Sequence, residues 1–412
     1  MTGAKKGVVV GLWAATILAA FGAGRLTAPL EFAPVPDAAR ADFGAAVRAA
    51  LGEIDGVDRA ERTASLMQQL NADNVAEAAA VYDQMLNILD PTDIRPFAIA
   101  WARFDPDAAL DHTLRWPLRE KQQIGAGAAI EGWALRDPRA ALQAYEQTRT
   151  RFAGLDDELF LNLLTGWVYS GQEGLDEYVA NVPKSKQDSA ITRVVAKIIR
   201  HGGIDATMRW VNSIALDDAY EQRFKKTVFR RGIRMVARWD PERSAAWAME
   251  HVGQGYAVDA PRIVAEQWGP RDGRAAIQWV REHPSEELRD GACREAFRTW
   301  LSSDRASASE WLESESLTAF HGPAIWLYAK DLSERAPEEA IVWCERVIEA
   351  DPRLSCLKTV AAKWYQRDPL AAETWLQQSP LDEEARRAAR TPPIQKRPRG
   401  ARPGRPPSNG PT

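Results

Sequence analysis

Tryptophan returns along this chain at a fixed interval. After a first gap of 37 residues from Trp210 to Trp247, Trp279, Trp311, Trp343 and Trp375 follow at gaps of 32. A second series leads it: Trp101 and Trp133, then Trp268, Trp300 and Trp364, with gaps of 32 inside each run, or 64 where one unit lacks the indole. A period between about 20 and 50 residues marks a chain whose units bury their apolar faces against their neighbours. Such a chain folds as a stack of like units rather than around one central core.

Aligned units share the pattern W-x3-D-P-x-A-A-x2-W-x4-P, plain from Trp133 through Asp137-Pro138 and from Trp364 through Asp368-Pro369. Each element has a physical task. Asp105, Asp137, Asp240 and Asp368 precede a proline and suit the N-cap, where a carboxylate accepts from the free N–H groups of the first turn. Proline fits the first helical position because no donor is lost there. The Ala-Ala pairs at 108–109, 140–141, 275–276 and 371–372 give a slim face for close packing. The second Trp, two turns in, is expected to bury its ring against the neighbouring unit. Pro117, Pro183, Pro284 and Pro380 stop the second helix. Each unit therefore reads as helix A, a turn and helix B. His201-Gly202-Gly203 falls where A meets B and reads as a turn. Further units are placed at Trp167, Ile199, Val236 and Leu332, giving about nine over residues 91–385. Residues 38–90 read as an N-terminal helical cap or degenerate repeats.

On these motifs the chain resembles the tetratricopeptide-like class of α-solenoids. The resemblance implies an all-α, right-handed solenoid whose A helices line the concave face.

Positions constant in type are packing positions. Three residues before the first template position lie Ala98, Ile130, Leu164, Ala196, Ile233, Ala265, Phe297, Ala329 and Ala361, all apolar. Six before it the residue is basic in six of the nine units, at Arg95, Arg193, Arg230, Arg262, Arg294 and Lys358, against Gly127, Leu161 and Trp326 in the others; two before it the residues include Lys197, Arg234, Arg298 and Lys330. Positions four apart are neighbours on one helical face. Stacked units thus predict a basic stripe of Arg193, Lys197, Arg230, Arg234, Arg262, Arg294, Arg298, Lys330 and Lys358. Two readings stand. The stripe holds an acidic peptide or anionic polymer, or it is a solvated face balanced by Glu131, Glu266 and Glu295.

The ends differ from the body. Residues 7–24 carry no charge, with Lys5 and Lys6 before them and Arg25 after. They read as a transmembrane anchor over residues 1–28, with a cleaved signal peptide as the competing reading. The slight positive excess on the N-terminal side places the body outside the cytoplasm, in a periplasm. Three prolines in residues 29–37 make a stiff spacer. Residues 386–412 are rich in proline and cations and are expected to be disordered. The chain carries a net charge of −4, yet residues 1–25 hold three cations and residues 391–412 five, both without an acid, leaving −12 between them. An acidic body with basic ends argues against nucleic-acid binding. Of the three cysteines, Cys344 and Cys356 fall near each other in the repeat scheme. They either bridge or, with Cys293, stay buried thiols.

Motifs for chemistry are missing. The five histidines lack metal-ligand spacing, and no Walker, G-x-S-x-G or HExxH pattern occurs. No cofactor and no catalytic residue are expected. Carboxylate pairs such as Asp156/Asp157 and Asp217/Asp218 fall in inter-helix turns and are expected to be solvated. The reading is a membrane-anchored, non-enzymatic scaffold that docks a protein partner. The alternatives are a structural protein of the cell envelope that binds a polymer and an enzyme with an unrecognised carboxylate site in the groove.

Overall fold

The computed structural model describes residues 42–391, except 215–218 and 284. The anchor at 1–28, the spacer at 29–37, Pro284 and Asp217/Asp218 lie outside the described residues. Among those described there is no strand, and no helix is long and apolar enough to cross a membrane.

Three helices come first: α1 (Phe43–Leu51), α2 (Gly56–Gln69) and α3 (Val75–Met85). Helix pairs follow: α4 (Pro91–Trp101) with α5 (Pro106–Leu114), α6 (Arg119–Ala134) with α7 (Pro138–Arg151), and α8 (Asp156–Ser170) with α9 (Leu175–Asn181). The fourth pair is one run, α10 (Lys184–Ser213), broken at Gly203, whose φ of 74° and ψ of −168° leave the helical region. Glycine takes that conformation without the Cβ clash other residues meet, so the His201-Gly202-Gly203 turn is realised as a sharp break. Then come α11 (Ala219–Trp239) with α12 (Pro241–Glu250), α13 (Ala260–Trp268) with α14 (Gly273–Glu282), α15 (Glu286–Ser303) with α16 (Arg305–Ser314), α17 (Gly322–Leu332) with α18 (Pro337–Glu345), and α19 (Ala350–Arg367) with α20 (Pro369–Gln378). The last helix, α21 (Glu383–Arg390), closes the array.

Each A helix packs on the next A helix, from α4 through α6, α8, α10, α11, α13, α15 and α17 to α19, which α21 covers. Each B helix packs on its own A helix and, in most units, on the following one. The A helices thus form a continuous layer with the B helices on one side of it. Of the nine apolar positions assigned to the A-layer core, all but Ala196 are buried.

The caps follow the aspartates. Oδ1 of Asp105, Asp137, Asp240 and Asp368 accepts from the backbone N–H three residues on at 2.9–3.1 Å. Asp272 and Asp304 do the same without a following proline. At the corresponding position Ala336 keeps the same backbone, φ −139° and ψ 71°, and offers no side-chain acceptor. Ala336→Ser is therefore expected to raise stability by about 0.5–1 kcal/mol, read as a higher urea midpoint. An unchanged midpoint would show that this helix end is satisfied by water.

The second alanine of each Ala-Ala pair is buried and the first only partly, so the slim face points inward at one residue per pair. The tryptophans differ from expectation in one respect. Within a unit the two indoles meet each other across the hairpin: Trp268 and Trp279 at 6.3 Å between centroids, Trp300 and Trp311 at 5.7 Å, Trp364 and Trp375 at 6.4 Å. The second indole also reaches beyond its unit, as Trp247 Nε1 does in donating to Asn212 Oδ1 at 3.3 Å. All twelve repeat tryptophans are buried or packed on the core, whereas Trp239, outside both series, is 64% exposed.

Two further expectations meet the structure here. Cys344 and Cys356 form a disulfide, Cα atoms 5.4 Å apart, that joins α18 to α19, and Cys293 is a buried thiol. The tail boundary expected at 386 falls inside α21. Asp382 caps that helix, and Leu381, Ala385 and Ala389 are buried, so the chain stays packed through Arg390. Residues 392–412 lie outside the described residues.

Candidate docking face

The polar face of the A layer begins in a buried network. Arg95 of α4 ion-pairs with Glu131 of α6, which is 7% exposed, and its Nη1 donates to Asn162 Oδ1 of α8 at 3.1 Å. Asn162 Nδ2 in turn donates to Glu158 Oε1 at 2.6 Å. The helices approach closely enough for this because α8 crosses α6 at Gly166, where a Cβ would overlap the Glu131 carbonyl oxygen and the Ala134 methyl.

The next unit opens. Ala196, the one half-buried member of the core position, lines a cleft of 760 Å³ with Leu161, Arg193, Lys197, Arg200 and Arg231. Asp188, Ser189 and Thr192 complete its wall. Arg231 is held by Asp188, its Nε and Nη2 donating to Oδ1 at 3.2 and 2.6 Å. The Thr192 and Ser189 hydroxyls donate to the backbone carbonyls of Asp188 and Lys186. Partial burial pulls the Lys197 ammonium below its ordinary range, and nearby Arg193, Arg200 and Arg95 add to that against the opposing pull of Glu131. The Lys197 ammonium also lies 5.6 Å from the Tyr169 ring centroid. Four cations thus face one carboxylate, which is already engaged.

The cleft coincides with the irregularity of the repeat. The 37-residue gap between Trp210 and Trp247 falls here, between α10 and α11. Lys225 of α11 is buried and donates to the carbonyls of Val211, Asn212 and Ile214 at 2.6, 2.9 and 3.0 Å, closing the C-terminal end of α10. Burial pulls its ammonium down to about 8. With all three protons given to carbonyls, Lys225 is a structural cap of α10.

Beyond the cleft the expected stripe divides. Arg234 forks onto Glu266 with Nη1–Oε1 at 2.7 Å and Nη2–Oε2 at 3.1 Å, and Arg262 adds to the same carboxylate at 3.6 Å. Burial pushes the Glu266 carboxyl up, but the hydrogen bonds and charge of Arg234, with the charges of Arg262 and Arg298, more than offset it and hold it low. Arg298 pairs with Glu295 at 2.7 Å. Lys330 sits over the Trp326 ring, 5.2 Å from its centroid. Arg230, Arg294 and Lys358 have no carboxylate within ion-pair distance among the described residues. The balancing role expected of Glu131, Glu266 and Glu295 therefore falls on Arg95, Arg234, Arg262 and Arg298. The charge left over gathers at Arg193, Lys197 and Arg200, at Arg230, and at Arg294 and Lys358.

Arg200 and Arg231 escaped sequence reasoning. The signal for Arg200 was present, since it follows Arg193 by seven residues, two turns along the same face. Arg231 carried none, because it lies one residue outside the periodic positions.

Four of the five histidines make local contacts. His112 Nε2 lies 2.9 Å from Asp83 Oδ1, His251 Nδ1 lies 2.9 Å from the Tyr256 hydroxyl, and His283 and His321 accept backbone N–H groups of Ser285 and Thr318. Burial lowers the pKa of His251, His283 and His321. Asp156, expected in solvent, instead accepts from Tyr145 at 2.6 Å and from Lys186 at 2.6 Å, because the turn it sits in is covered by the start of α10. Among the described residues no group of three His, Cys, Asp or Glu could hold a metal ion.

No protein-family model matches the chain, and no curated protein matches it. Among solved structures, an engineered protein is similar over 84% of this chain and 97% of its own, at 14% identity and a TM-score of 0.22, which is too low to bear on fold or function.

Proposed function

We propose that this chain is a non-enzymatic docking scaffold, held at a membrane by residues 1–28 with its body in an oxidising compartment outside the cytoplasm. Nine helix pairs of the tetratricopeptide-like class form a right-handed superhelix, and a protein partner seats on the A-layer face. The observation that carries this reading is the uncompensated charge on that face. Arg193, Lys197, Arg230, Arg294 and Lys358 are exposed or half-buried without a carboxylate partner among the described residues, while Arg234, Arg262 and Arg298 along the same stripe are neutralised. Surface cations without local partners attract acidic surfaces and speed their capture. The disulfide fits the proposed compartment, since such bonds persist outside the reducing cytosol.

The test uses the full chain in detergent-solubilised membranes. Arg230→Glu with Arg294→Glu reverses two unpaired charges and leaves the Arg234–Glu266 pair intact. A stoichiometric partner retained by the wild type and released by salt is expected to be lost from this variant at unchanged helical content. Full retention would reject docking through this face.

A further inference from the structure

Two features of the cleft at Ala196 go beyond an evenly spread basic stripe. It lies beside the 37-residue gap from Trp210 to Trp247, the longest interval of that tryptophan series. Its cations are also arranged as a line. Arg193, Lys197 and Arg200 occupy one face of α10 at intervals of four and three residues, about 6 and 4.5 Å along the axis, and all three line the cleft.

We propose that this cleft is the specificity-determining subsite of the docking face, and that it takes an extended acidic segment of the protein partner with carboxylates at alternate residues. The assignment rests on the docking function proposed above. Alternate side chains of an extended chain project from the same side about 6.7 Å apart, which matches the spacing of Arg193 and Lys197 within the reach of their flexible stems. A single tetrahedral phosphate is too compact to span three cations spread over roughly 10 Å of helix. A helical acidic segment would need its own cylinder, about 10 Å across, in a cleft of 760 Å³. The guanidinium forks of Arg193 and Arg200 suit bidentate carboxylate recognition. Arg231 is fixed by Asp188 and closes the opposite wall. Leu161 and Ala196 supply an apolar floor for the backbone of the segment.

The probes are two fluorescein-labelled peptides of equal composition, Gly-Glu-Gly-Glu-Gly-Glu-Gly and Gly-Gly-Glu-Glu-Glu-Gly-Gly. Each is titrated against the full chain in detergent at low salt and followed by fluorescence anisotropy. The alternating peptide is expected to bind more tightly. Arg193→Gln and Arg200→Gln should each weaken it roughly tenfold, the worth of one charge-assisted hydrogen bond. Arg274→Gln, exposed on the B helix α14 and outside the stripe, should change it less than about twofold. Tighter binding of the contiguous peptide, no binding of either, displacement by millimolar inorganic phosphate but not by excess unlabelled alternating peptide, or indifference to Arg193→Gln and Arg200→Gln would each overturn the assignment. The two claims separate on the partner. Capture that survives Arg193→Gln with Arg200→Gln but fails in Arg230→Glu with Arg294→Glu removes the cleft subsite and keeps the docking face. Capture that survives both removes both.

Discussion

Replacing Trp247 with alanine is expected to cost about 3–5 kcal/mol, the range for removing a large aromatic from a packed core. The ring is fully buried in α12, tilted against Phe229 of α11 with centroids 4.8 Å apart, and tied through Nε1 to Asn212 of the preceding unit. Its loss therefore leaves a cavity within one unit and removes a hydrogen bond to the preceding one. Trp239, the last residue of α11, is 64% exposed, so Trp239→Ala should stay within about 0.5 kcal/mol. Urea unfolding followed by far-UV circular dichroism compares the two. In a linear array the damage should also lower the steepness of the transition, because neighbouring units lose their coupling. Equal and small shifts for both variants would mean that the tryptophan period is not a packing signal.

The second large effect concerns the C-terminal units. The disulfide closes a loop of 12 residues between Cys344 and Cys356. Restricting the unfolded chain over such a loop is worth about 3 kcal/mol in the chain-entropy account. Cys344→Ala with Cys356→Ala removes that restraint and two buried side chains besides, so the loss should reach at least this size. The effect should be local. α19, α20 and α21 are expected to exchange their amide protons faster in the variant, whereas α4 to α8 should keep their protection. Hydrogen exchange read by mass spectrometry tests this. Uniform protection in both proteins would show that packing alone holds the last units.

Much of the architecture was legible because its determinants are local and repeat. An aspartate three residues before a free amide makes a cap wherever it stands, and so Asp272 and Asp304 cap without the proline that marked Asp105 and Asp137. The constant apolar position of helix A was buried in every unit but the fourth, because that periodicity is itself a consequence of burial. What the sequence hid lies between units. The pairing of Arg234 with Glu266 crosses 32 residues and of Arg231 with Asp188 crosses 43, and neither can be read from one helix. The partnering of indoles within a unit was hidden for a related reason: spacing fixes which face a side chain occupies, and the crossing of two helices decides what it meets. The cleft at Ala196 is hidden in the same way, since its lining comes from α8, α10 and α11 together.

A partner seated on the A-layer face would lie against the residues of the cleft and away from the B helices. Site-specific photo-crosslinking in intact membranes tests it most directly, with a benzophenone amino acid placed at exposed Thr192, on the cleft wall, or at exposed Ala246, on helix α12. Docking on the A-layer face should give a covalent adduct of defined mass from position 192 and none from 246. Adducts from 246 alone, or equally from both, would contradict it.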